Sequence, residues 1–109
     1  MDTFDKIRMI LDEQTAIILE LTANKPLTAS QIGRELDMPH SVCYRRLKML
    51  IDAQFLCEMG PSRGWGGSPN AKRYSSNIDQ MYVALEHGEF NCVLKLRNDP
   101  TPRKFRMLS

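Results

Sequence analysis

Apolar residues in the first third of the chain recur at helical intervals. Phe4, Ile7, Leu11, Ile18 and Leu21 stand at steps of three, four and seven with charged residues between them, the spacing that lines one face of an α-helix. Asp12–Thr15 is either a cap that divides this stretch into two helices or a polar turn of one. Lys25-Pro26 is expected to end it, because proline pushes the residue before it out of the helical region. Leu27 is then a short extended step. Thr28-Ala29-Ser30-Gln31 has the form of a capping box, in which the Thr28 hydroxyl accepts from the Gln31 N–H and Gln31 reaches back. The helix it opens places Ala29, Ile32 and Leu36 on one face, and Asp37-Met38-Pro39 breaks it.

The clearest periodicity runs from His40 to about Ala53. Cys43, Leu47, Leu50 and Ile51 form one apolar stripe, and Ser41, Tyr44, Arg45 and Lys48 share a polar face. Phe55–Met59 and Ala71–Ser76 are expected strands. The ten residues between Gly60 and Pro69 hold four glycines and two prolines, which excludes regular structure there. Two strands around an Arg-bearing, Gly-rich loop have the outline of a wing. Beyond Asn77 the period changes to two. Met81, Val83 and Leu85 alternate with polar or small residues, as do Phe90, Cys92, Leu94 and Leu96 after His87-Gly88, a pattern that predicts a β-hairpin with a tight turn. A helix over Ile78–His87 competes with that hairpin. Residues 98–109 carry two prolines and three basic residues and are expected to be a flexible basic tail, leaving residues 1–97 as a single domain.

The helix over 40–53 has the chemistry of a DNA reader. The major groove of B-DNA admits a helix and presents a distinct donor and acceptor pattern for each base pair. A helix that reads it needs polar and basic side chains in front and an apolar back that holds it rigid. Ser41, Tyr44 and Arg45 suit base edges, whereas Arg46 and Lys48 suit phosphates, which position without specifying. His40 stands at the helix start, within reach of phosphate. In the wing, Arg63 suits the minor groove, and Trp65 either stacks on sugar or plugs the underside of the loop. Lys72 and Arg73 would flank the groove.

The order helix, short strand, helix, turn, helix, strand, loop, strand is that of a winged helix domain. The stretch Leu36–Leu56, together with "TAIILELTANKPLTASQIGREL" at Thr15–Leu36, resembles the ArsR and MarR-like winged helix regulators, including small archaeal ones. The resemblance covers about Asp12–Ser76. It implies an α+β winged helix-turn-helix fold with three N-terminal helices, a β wing and here a C-terminal β-hairpin. It also implies a transcriptional regulator that binds double-stranded DNA as a homodimer. Two departures matter. Gln54 stands where the family has a glycine after the recognition helix, so this position either adopts a left-handed conformation or ends the helix differently. Arg34-Glu35-Leu36-Asp37 stands where metal-sensing members carry cysteines, which argues against that kind of metal site.

Charge sharpens this reading through its distribution. The net charge is only +2. Residues 1–38 hold four basic residues against seven acids, while residues 39–76 hold six against two, so positive charge gathers where phosphates would be met. Three cysteines, Cys43, Cys57 and Cys92, with no CxxC pair, fit a reducing compartment, and core positions are expected for them. No apolar run approaches the roughly 20 residues of a membrane span, and the start lacks the order of a secretory signal. A cytoplasmic protein is expected. No nucleophile elbow, phosphate loop or His-carboxylate cluster points to an enzyme, a cofactor or a metal. A protein-interaction winged helix within a transcription or replication assembly is the alternative to a DNA-binding regulator.

Overall fold

The structure is a computed structural model and describes residues 8–60 and 71–107. Residues 8–10 are helical and end at a break over Leu11-Asp12. Helix α1 (Glu13–Leu21) starts there, so Asp12–Thr15 is a cap. The Asp12 Oδ2 accepts the Thr15 N–H at 3.1 Å, satisfying one of the donors a helix start leaves over. The helix stops earlier than Lys25-Pro26 would require. Thr22 is fully buried, its hydroxyl donates back to the Ile18 carbonyl at 2.8 Å, and its own carbonyl accepts from Ser76. The chain leaves the helix at Thr22 because that residue is committed to strand β3 (Arg73–Ser76).

Strand β1 (Leu27–Thr28) leads into helix α2 (Ala29–Leu36). The capping box is formed, with the Gln31 N–H donating to Thr28 Oγ1 at 3.2 Å and the Thr28 N–H donating to Gln31 Oε1 at 2.9 Å. Asp37 closes α2 in a left-handed conformation, φ 50°, and the Met38 N–H returns to the Gly33 carbonyl, the Schellman closure. Pro39 opens helix α3 (His40–Asp52). At the other end of α3, Gln54 takes φ 68°. Its N–H donates to Ile51 and that of Phe55 to Leu50, a second Schellman closure made without glycine.

Strand β2 (Leu56–Met59) follows, and the first sheet has the order β1-β3-β2, antiparallel throughout. Its pairing of Leu27 with Tyr74 ties the entry to α2 to the strand that follows residues 61–70. Helices and sheet share one core in which Ile18, Ile32, Leu47 and Leu50 are fully buried. Each contributes roughly 1.5–3 kcal/mol of hydrophobic stabilisation. The stripe read from α3 is therefore the face it buries, with Ile51 half-buried at its edge.

A second sheet holds β4 (Ile78–Glu86), β5 (Glu89–Leu96) and β6 (Arg103–Arg106) in that order. The hairpin over residues 78–96 is a strand pair, and the competing helix over Ile78–His87 does not form. His87 and Gly88 both have positive φ, 51° and 78°, as a two-residue type I′ turn requires. Met81 faces Leu94, Val83 faces Cys92 and Leu85 faces Phe90. The expected flexible tail is corrected over part of its length. Residues 103–106 form β6, with Phe105 opposite Cys92 and packed against the core. One inward aromatic among three basic residues is enough to dock a strand onto an open sheet edge.

Candidate nucleic-acid interface

Helix α3 is held from behind by its buried stripe. Cys43 is 1% exposed, and its thiol lies 3.6 Å from the Ala29 carbonyl. Burial raises its pKa, so this thiol is a packing group. Gly33 makes the crossing of α2 and α3 close. A Cβ there would stand 3.3 Å from the Met38 carbonyl and 3.9 Å from Cys43 Sγ. Cys92 is likewise buried with a raised pKa, whereas Cys57 is only half-buried.

The opposite face of α3 is open. His40, Ser41, Tyr44, Arg45 and Lys48 are all exposed. Tyr44 keeps 52% of its surface free, and its ring stacks on His40 with centroids 6.0 Å apart and planes 29° apart. That stacking aligns two flat, polar-tipped groups along the first turns of the helix. Pro39 offers no capping side chain, so the first N–H groups of α3 are left for solvent or an anion.

Arg46 departs from the set. It reaches backward, with Nη1 donating to Asp12 Oδ2 at 2.6 Å and to Thr15 Oγ1 at 3.2 Å, while its Nε is buried without a partner. Its side chain is 27% exposed. The structure makes Arg46 a tether between α3 and the start of α1. The Thr15 backbone N–H, and then the Arg46 guanidinium, hold the Asp12 carboxyl below the usual carboxylate range.

Lys72 is exposed and pairs with Glu58 across β2 and β3 at 3.0 Å. The hydrogen bond to Glu58 is the main cause of its raised pKa, and Tyr44 adds to the field there. Lys72 thus stands at the root of the 61–70 stretch. Arg73 donates from Nε to the Gly60 carbonyl at 3.3 Å, closing that root. Arg63 and Trp65 lie outside the described residues.

Ser30 and Arg34 are not among the site residues expected from the sequence. Both are exposed on α2, and with His40 and Asp37 they line a groove of about 310 Å³ between the two helices. Their signal was present: they stand at i and i+4 on the face of α2 opposite Ile32. Among the described residues no cluster of His, Cys, Asp and Glu is able to hold a metal ion, and no helix is long and apolar enough to cross a membrane.

Two helices crossing at a tight turn, the second buried behind and open in front, are the geometry of a helix-turn-helix. Residues 14–56 match the family model of a helix-turn-helix domain. Over that stretch the chain is similar to helix-turn-helix domains. The match begins at the first turn of α1 and ends where β2 begins, so it covers helices α1 to α3 with strand β1 and leaves β3 and the whole second sheet outside it. Comparison with curated proteins returns no match.

Proposed function

We propose that the protein is a sequence-specific transcriptional regulator that inserts α3 into the major groove of duplex DNA. In this reading it is a winged helix-turn-helix protein of the ArsR or MarR-like kind. The 60–70 loop is its wing, with Arg63 and Trp65 at the minor groove or the adjacent backbone. It works as a cytoplasmic homodimer, by binding and not by catalysis, and needs no cofactor. The observation that carries the reading is the two-sided character of α3. Cys43, Leu47 and Leu50 are buried behind, while Ser41, Tyr44, Arg45 and Lys48 are exposed in front. Two symmetric half-sites about one helical turn apart would supply the specificity that a single short helix lacks.

Selection of bound sequences from a random duplex pool, followed by shift assays, tests it. Tyr44→Ala and Arg45→Ala should each weaken the selected site by about 1–3 kcal/mol and relax specificity, while Lys48→Ala should weaken all sequences alike. Affinity should fall steeply with salt as phosphate contacts release counterions. A protein that enriches no sequence and shifts no duplex at low salt is not this regulator. A partner protein recovered through the same face of α3 would then support the protein-interaction module instead.

A further inference from the structure

Among the described residues, no strand pairs with the outer edge of the second sheet. Strand β4 is nine residues long and stands outermost in the order β4-β5-β6. Its centre, Met81-Tyr82-Val83-Ala84-Leu85, carries no charge, proline or glycine, and the register with β5 is regular from Gln80 to Glu86. Natural sheets guard such edges with lysine, proline, bulges or short strands. The only irregularity here lies at the far end, between Ile78 and Gln80. Tyr82, Val83, Leu85 and Phe90, all on this hairpin, are 48%, 46%, 59% and 44% exposed.

We propose that the outer edge of β4 pairs with β4 of a second copy of this chain, antiparallel about a two-fold axis at Val83, joining two three-stranded sheets into one of six strands. The inference rests on the homodimeric reading above and names its interface. Three features argue for a second copy as the occupant. The first is backbone phase. A two-residue hairpin closes on a pair that exchanges both of its hydrogen bonds, here Glu86 and Glu89. Glu86, Ala84 and Tyr82 therefore direct their backbone groups at β5, and Leu85, Val83 and Met81 direct theirs outward. A two-fold at Val83 opposes outward groups to outward groups: Val83 to Val83 and Met81 to Leu85 of the second copy.

The second feature is charge. Self-pairing usually fails by opposing like charges, yet this register opposes only uncharged residues from Met81 to Leu85 and sets Glu86 against neutral Gln80 of the second copy. Two of the sheet's acids are paired within it, Glu86 with Lys104 at 3.2 Å and Glu89 with Arg106 at 3.5 Å. Strand β4 itself holds no lysine or arginine, so nucleic acid is a poor occupant of its edge. The third is side-chain alternation. Met81, Val83 and Leu85 lie on the face that also carries Phe90, so the two copies would merge their exposed apolar rows into one stripe, the cross-strand contact that stabilises sheets.

Sedimentation of the full chain, with site-resolved hydrogen exchange, tests the proposal. The native protein should sediment at twice its 12.5 kDa chain mass. Val83→Lys and Val83→Pro should each return it to the single-chain mass with the thermal transition retained, because an outward N–H at an edge is dispensable to the fold. In the dimer the amides of Met81, Val83 and Leu85 should exchange at least tenfold more slowly than the amides at the same positions in Val83→Lys, while those of Tyr82 and Ala84 stay equally protected in both. A native protein at single-chain mass, variants that remain dimeric, or outward amides unprotected in the dimer would overturn it. Duplex binding is scored separately. A Val83-dependent dimer that shifts no duplex refutes the DNA reading and upholds the interface, and a monomer that shifts duplex does the reverse.

Discussion

Asn77 is the joint between the helix-turn-helix and the second sheet, and replacing it measures how firmly the two are fixed. The residue is 2% exposed. Its Nδ2 donates to the Gln54 carbonyl at 2.8 Å and to Asn98 Oδ1 at 3.0 Å, and its Oδ1 accepts the Asn98 N–H at 3.2 Å. Its backbone bonds the Phe55 carbonyl and the Arg97 N–H. Asn77→Ala keeps the backbone bonds and loses the three side-chain ones. At roughly 0.5–1.5 kcal/mol each, with partners left unsatisfied, the loss is about 2–4 kcal/mol. Total stability for a domain is about 5–15 kcal/mol, so this is a large share. The midpoint should fall by roughly 10–20 °C, from about 4–8 °C per kcal/mol for domains slightly smaller than this one. Urea unfolding followed by circular dichroism, with an unchanged slope, checks the figure. Asn77→Asp should cost at least as much, since its added oxygen would face the Gln54 carbonyl and Asn98 Oδ1, both acceptors. A loss below about 0.5 kcal/mol for the alanine variant, or an aspartate variant as stable as the native protein, would refute the assignment of Asn77 as the joint.

Gln54→Gly should stabilise the protein by about 0.5–1 kcal/mol. It relieves a left-handed backbone at φ 68°, offset in part by the entropy glycine adds to the unfolded chain; a lower urea midpoint would count against the strain argument. Asp12 bears on acid stability. Because its folded pKa is depressed, its contribution is complete above the ordinary carboxylate value and is lost as pH falls through the folded one. Asp12→Asn should therefore flatten the decline of melting temperature below about pH 4, and superimposable acid limbs for the two proteins would remove Asp12 from the account. Of the three thiols, only half-buried Cys57 should react with a thiol-specific reagent under native conditions, with Cys43 and Cys92 released on unfolding. Rapid native labelling of Cys43 would mean that α3 is not packed as described.

The features legible in the sequence are those that local rules decide. The capping box at Thr28 and Gln31, the apolar stripe of α3 and the type I′ turn at His87-Gly88 each follow from a few adjacent residues, and each stands where the pattern put it. Long-range commitments were not legible. Helix α1 ends at Thr22 because Ser76, 54 positions away in the sequence, donates to its carbonyl, and nothing near Thr22 announces that. Strand β6 escaped notice because a four-residue edge strand bears a single inward side chain, Phe105, too little for periodicity to register.

The same distinction separates Arg46 from its neighbours on α3. From spacing alone Arg45, Arg46 and Lys48 are three cations on one helix, and phosphate is the natural partner for each. A turn of 100° per residue makes Arg46 diverge from Arg45, and what it meets is set by an acid 34 positions earlier. Its tether fixes the angle at which α3 leaves α1, just as the Gln54 turn and the Asn77 joint fix the other end of the helix. A helix that reads base edges must be held to within a fraction of an ångström. In the proposed reading, the residues that hold α3 would therefore be as much a part of recognition as the residues it presents. Arg46→Met should accordingly lower affinity for the selected duplex while leaving the number of released counterions, read from the salt slope, unchanged. A shallower slope would return Arg46 to the phosphate contacts.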